Sequence, residues 1–129
     1  MSNWYAAHLV MYVKLREEGQ TRFTVWENVI LISAAGEGEA FEKAERRGRD
    51  DAEDDESFRW GGKPARWVFA GVRKLTACDE PGRRPGDGTE ITYTEMVLDS
   101  EQAILRLVNG ESASVKIADR FAAPEGVVA

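Results

Sequence analysis

Every odd position from Tyr5 to Leu15 is apolar: Tyr5, Ala7, Leu9, Met11, Val13 and Leu15. Alternation of that length is the period-two pattern of a strand with one buried face. It predicts a strand over residues 3–16, which must find at least one partner strand. The polar run Glu17-Glu18-Gly19-Gln20-Thr21 reads as a hairpin turn, with the second strand over 22–33. With the turn centred on Gly19, Leu15 faces Phe23, Val13 faces Val25 and Leu9 faces Val29 on an apolar side. On the other side Tyr12 opposes Trp26, Val10 opposes Asn28 and His8 opposes Ile30, with Trp4 beyond them. A slip of one residue would exchange the faces of the second strand, so this register is a sharp expectation.

The period then changes. Ala40, Phe41, Ala44 and Gly48 form a narrow apolar stripe among Glu, Lys and Arg, which predicts a helix over 37–49. The acidic run Asp50 to Glu56 is expected to fray it, because like charges repel and Asp is a poor interior helix residue. Ser57 to Trp60 reads as a short strand and 65–77 as a long one. Gly61-Gly62-Lys63-Pro64 is the turn between them, and Pro64 makes it unlike a phosphate-binding loop. Residues 79–88 hold two Pro-Gly pairs and read as an exposed loop. A strand is expected over 89–98. A helix capped by Asp99 or Ser100 should follow, running to Leu107 or Val108, and then a last strand over 112–118.

Most of these links are hairpin-like. The expectation is an α+β fold: an antiparallel sheet of about five strands, one main helix on one face, and a short C-terminal helix. Without the first strand and the short third one, the order is that of a ferredoxin-like variant. The chain, 1–129, reads as a single domain with a core over 3–98, a C-terminal addition over 99–121 and a loose tail over 122–129.

Certain segments together resemble a small bacterial family of unknown function, domain of unknown function 4288. They are Trp4-Tyr5, Trp26-Glu27-Asn28-Val29-Ile30-Leu31-Ile32, Glu39-Ala40-Phe41-Glu42-Lys43-Ala44, Trp67-Val68-Phe69-Ala70-Gly71-Val72 and Gly88-Thr89-Glu90-Ile91. The resemblance spans roughly residues 3–98. It implies a stand-alone bacterial domain and carries no activity, ligand or catalytic residue with it.

Charge narrows the function classes. The net charge is −6, and residues 37–56 alone hold ten acidic against four basic side chains. The acidic stretch therefore carries the whole excess. It would repel a phosphate backbone, so no nucleic acid is expected as a partner. No run approaches the length of a membrane span, the start lacks a signal-peptide pattern, and the single cysteine, Cys78, suits a reducing compartment. A cytoplasmic protein is expected, with no membrane partner.

The chemistry-bearing residues are few. His8 is the one histidine, and no cysteine pair joins it, so no metal site and no cofactor is expected. The acidic run lacks the spaced oxygens of a calcium loop and reads as a solvated helix end. Asp79 and Glu80 beside Cys78 would raise its pKa, which speaks against a nucleophile. Trp4, His8, Tyr12, Trp26 and Asn28, on the outward face of the first hairpin, form a candidate interaction surface. Glu27 falls in phase with Val25, Val29 and Met11, where burial would raise its pKa. It has two candidate cationic partners, Arg66 and Arg73. A His–carboxylate pair of His8 with Glu27 or Glu90 is a further reading. The function expected is a non-catalytic protein-interaction or self-associating module, with a homodimer or a protein partner. The alternative is a small-molecule-binding protein or enzyme whose polar pocket, between the sheet and the C-terminal addition, gathers Glu27, Arg66 and Tyr93.

Overall fold

The structure, a computed structural model, describes residues 2–78, 80 and 82–124. The elements run β1 (Asn3–Leu15), β2 (Val25–Ala34), α1 (Glu37–Asp51), β3 (Arg59–Trp60), β4 (Lys63–Ala77), β5 (Met96–Val97), α2 (Glu101–Val108) and β6 (Lys116–Ile117). The fold is α+β. A four-stranded antiparallel sheet has the order β2-β1-β4-β3, and β5 and β6 pair in a separate two-stranded ribbon.

β1 lies at the centre because it is apolar on one side and nearly so on the other. Tyr5, Ala6, Ala7, His8, Leu9, Met11 and Val13 are all buried. Since β2 and β4 both run antiparallel to β1, they run parallel to each other, and the chain between them must cross a face of the sheet. α1 makes that crossing. Its stripe falls where the period places it: Ala40, Phe41, Ala44 and Gly48 are buried. They close over Tyr5, Ala7, Leu9, Ile32, Ala34 and Leu75. A Cβ on Gly48 would overlap the Phe69 ring, so glycine is what lets the helix approach β4.

Two expectations about the sheet's register and order need correction. First, the β1–β2 register is one residue away from the one centred on Gly19: His8 pairs with Val29, Val10 with Glu27 and Tyr12 with Val25. The cause is Gln20. Its side-chain amide accepts from Leu15 N at 2.9 Å and donates to Val13 O and Arg22 O at 3.0 and 3.1 Å. It stands in for a ladder partner and makes the loop asymmetric. Val25, Glu27, Val29 and Leu31 therefore share the face of His8, while Trp26, Asn28, Ile30 and Ile32 lie on the helix side. Secondly, β1 cannot be set aside to leave a ferredoxin-like order, because it separates β2 from β4. One split β-α-β unit is present, and a second is precluded because β5 and β6 pair only with each other. α1 ends at Asp51, inside the acidic run expected to fray it, and the Asp51 carboxylate takes a bond from Arg47 Nε at 3.0 Å.

β4 carries two irregularities. His8 pairs with Lys74 and Leu9 with Val72, leaving Arg73 as an extra residue; Val10 pairs with Gly71 and Met11 with Phe69, leaving Ala70. These are β-bulges, and Gly71, at φ 150°, sits between them. Most of the strand expected over 89–98 is not laddered: only Met96–Val97 pairs, with Lys116–Ile117. The last helix begins as expected, with Ser100 Oγ accepting from Ala103 N at 3.1 Å. The described part of the loop over 79–88 is turn and coil, with Asp79 and Pro81 outside the described residues. Of the tail over 122–129, residues 125–129 lie outside them as well.

The C-terminal segment does reach the core. Asp119 bonds to Arg73 of β4, and two residues later Phe121 stacks on Phe41 of α1 with ring centroids 6.1 Å apart. It passes from the face of His8 to the face of α1. Among the described residues no helix is long and apolar enough to cross a membrane.

Candidate functional site

The middle of the sheet face away from α1 is covered by a charged cluster, while Val25, Val29 and Leu31 of β2 stay exposed beside it. His8 is 1% exposed and lies between Val29 and Lys74 in the ladder. Its Nδ1 is 2.7 Å from Glu27 Oε2, and its Nε2 is 2.5 Å from Thr92 Oγ1. The Thr92 and Thr76 hydroxyls are 3.3 Å apart. Glu27 is gripped at both oxygens by Arg73, Nε to Oε1 at 2.6 Å and Nη2 to Oε2 at 3.0 Å. Arg73 Nη1 then donates to Asp119 Oδ2 at 2.6 Å, and Lys74 Nζ lies 3.3 Å from the same oxygen. Lys74 also donates to the Tyr93 carbonyl at 2.5 Å and sits 3.5 Å from the centroid of the Tyr93 ring. In a regular strand Arg73 and Lys74 would point to opposite faces. The bulge at Arg73 is what turns both toward Asp119.

The electrostatics follow from this wiring. Glu27 has its pKa lowered, chiefly by the Arg73 hydrogen bond; burial opposes this, and the His8 bond adds to it. The rise expected from burial alone is thus reversed, because the carboxylate has a guanidinium beside it. Asp119 is pushed up by burial but pulled further down by the bonds from Arg73 and Lys74, to about 2. An ionised Glu27 can only accept, so His8 Nδ1 carries the proton of that bond. Hydroxyl, imidazole and carboxylate thus stand in the order of a nucleophile triad. Here, however, the imidazole is sealed and the carboxylate's charge is taken up by Arg73, whose side of the cluster borders a shallow hollow with Val10, Ala70, Gly71 and Val72. The arrangement acts as a clasp that ties β1, β2, β4 and the C-terminal segment together.

The residues singled out from the sequence do not form one group. Trp4, His8 and Tyr12 share a face, and Trp26 and Asn28 lie on the other, which is the consequence of the register. Trp4 sits under Arg84 at 5.9 Å, Tyr12 packs edge-on to Phe23 at 5.9 Å, and His8 is buried. Of the polar set, Glu27 and Tyr93 belong to the clasp. Arg66 does not: it is 3.8 Å from Asp54, beyond the end of α1. Of Glu27's two candidate cations the structure selects Arg73, and of His8's two carboxylates it selects Glu27. Thr92, Lys74 and Asp119 were not singled out. Gly71 in mid-strand was the available signal that β4 is irregular there.

Trp26 and Asn28 instead line an open basin of about 370 Å³ on the helix side, with Asp51, Glu53, Phe58, Trp60 and Trp67. It lies where α1 ends and no longer covers the sheet. Trp26 stands at 80° to Trp67 with centroids 5.3 Å apart, and Trp60 lies within 15° of parallel to Trp67 at 6.5 Å. Glu53 is held there by main-chain bonds to Trp67 in both directions, 2.9 and 2.8 Å.

A third surface belongs to the C-terminal unit. α2 buries none of its residues. Gln102, Ala103 and Arg106 face Ser112, Ala113 and Ser114 across a hollow, while Ile104, Leu105, Leu107 and Val108 are exposed. Val97, Val115 and Ile117 of the adjoining ribbon are exposed too.

No curated protein and no solved structure matches the chain. A family model matches residues 4–92, from Trp4 in β1 to Thr92 in the clasp, and leaves α2, β5, β6 and Asp119 outside. On that match the chain belongs to the family described as Domain of unknown function (DUF4288).

Proposed function

We propose that this protein is a non-catalytic interaction module that works as a homodimer, paired through its C-terminal unit. The observation that carries this reading is the orientation of α2. The helix turns its polar side toward its own chain and its apolar side to solvent, with Leu105 61% and Val108 74% exposed. A contiguous apolar surface of this kind marks a contact site. An eight-residue helix beside a ribbon with two residues per strand is also below the size that holds itself together in water. A second copy supplies the missing cover, since a two-fold axis sets the same patch against itself. Residues 96–121 hold four acidic against three basic side chains, so the unit has no basic excess to draw it to an anionic membrane surface.

Light scattering coupled to gel filtration tests this. The intact chain should elute with the mass of two chains, and a Leu105→Asp, Val108→Asp variant with the mass of one. A single-chain mass for the intact protein at every concentration would rule the reading out.

A further inference from the structure

We propose that the basin of Trp26, Trp60 and Trp67 is a binding site for the trimethylammonium group of a small molecule. The inference is independent of dimer formation, because the basin and the C-terminal unit are built from different parts of the chain.

The shape comes first. The Trp26 and Trp67 rings meet at 80°, and Trp60 lies stacked beside Trp67 at 15° with centroids 6.5 Å apart. Such a corner presents indole surface from two perpendicular directions. The electron-rich faces of tryptophan attract a cation more strongly than any other side-chain ring. Trp26 and Trp60 are nevertheless 50% and 38% exposed. Tryptophans in a core would be covered; here α1 stops at Asp51 and leaves them as the roof of the sheet.

The charge comes second. Two carboxylates, Asp51 and Glu53, line the basin, and no Lys or Arg does. Arg49 and Arg66 line the neighbouring hollow, which shares Glu53 and Trp67 with the basin. Asp51 is engaged by Arg47 at 3.0 Å, whereas Glu53 makes no ion pair among the described residues. The Glu53 main chain is fixed by its two bonds to Trp67, which holds the residue at the rim between the two hollows. The C-terminal end of α1, which carries partial negative charge, points to the same place.

The hydrogen-bonding inventory then selects the kind of cation. A primary ammonium needs acceptors for three protons, and a guanidinium for five. Four of the seven lining residues are aromatic, and with both Asp51 oxygens bonded by Arg47 the acceptors left are those of Glu53 and Asn28. A fully methylated nitrogen has no proton to place and keeps its charge, so it matches aromatic walls with a carboxylate nearby. The volume, about 370 Å³, is at the small end of ligand pockets. It suits a headgroup with a short polar tail that Asn28 can meet.

Choline is the probe, followed by tryptophan fluorescence on the intact chain. The neutral isostere 3,3-dimethyl-1-butanol has the same shape without the charge. Choline should give a saturable change, and the isostere should bind at least about tenfold more weakly. Glu53→Gln keeps the main-chain bridge and should weaken choline several-fold. Trp60→Ala, checked for folding by circular dichroism, should abolish the response. Equal affinity for choline and its isostere would overturn the proposal, as would an unchanged titration in both variants or no saturable response. Binding of a trimethyllysine peptide with none of choline would also overturn it, and would assign the basin to a modified protein partner.

Discussion

The two helices carry their apolar residues in opposite ways. α1 has little to bury, only Ala40, Phe41 and Ala44 with Gly48, and all of it is buried. α2 has Ile104, Leu105, Leu107 and Val108 in eight residues, and none of it is buried. Hydrophobicity alone would rank them the other way round. Topology makes the difference. α1 is the crossover between two parallel strands and is pressed on the sheet whatever its content. α2 hangs from a short ribbon outside the sheet and makes no substantial contact with another helix or strand. A helix so placed keeps an apolar face for something other than its own core.

Truncation on α1 should break the comparison most sharply. Phe41→Ala removes the ring that packs on the sheet and on Phe121, and should cost about 3–5 kcal/mol of folding stability, read by urea titration. A loss under about 1 kcal/mol would mean that α1 is as dispensable as α2.

The clasp comes next, because it covers the middle of the second face with polar bonds while the β2 edge beside it stays exposed. Glu27→Gln takes the counter-charge from Arg73 and leaves one acceptor oxygen where His8 and Arg73 now share two. A loss of about 1–3 kcal/mol is expected, since a cation is left half-satisfied near the sheet. A neutral result would mean that the clasp is decoration on a sheet already closed by β1.

Asp119 separates the attachment of the C-terminal segment from the fold itself. Its carboxyl titrates at about 2 in the folded chain against an ordinary 3.8. A lowered folded-state pKa stabilises above the ordinary value, and that contribution disappears as pH falls through the folded one. The attachment should therefore be full above pH 3.8 and loosen as pH falls toward about 2. Hydrogen exchange near Thr92–Glu95 and Lys116–Phe121 should rise across that window before exchange in β1 does. Asp119→Asn should remove the pH dependence there and leave those amides fast throughout. The smallest effect belongs to α2: Leu105→Ala in dilute solution should change stability by less than about 0.5 kcal/mol, because nothing within the chain covers it.

Much of the fold was legible. Alternation identified β1, a small-residue stripe identified α1, and the pair Asp99 and Ser100 marked the start of α2 with Ser100 as one of two choices of cap. The register was not, because Gln20 replaces a main-chain partner with a side chain, and no periodicity reports that. The same slip put Glu27 beside His8 and moved Trp26 and Asn28 to the other face. The clasp was legible in part: Glu27, His8, Tyr93 and, as one of two choices, Arg73 could be named. Lys74 and Asp119 could not, since a bulge aims the one and a segment far along the chain delivers the other. Thr92 was read as part of a regular strand, whereas side-chain bonds hold it. The aromatic basin depends on the corrected register and on the β3–β4 hairpin, so its three tryptophans come together only in three dimensions.

The central claim is that α2 is covered by a second copy of the chain. Hydrogen exchange of the intact protein, measured at low and high concentration, tests it most directly. Protection in α2 and in the β5–β6 ribbon should rise with concentration while β1 and β4 stay unchanged. Protection in α2 that is equally low at both concentrations would contradict it.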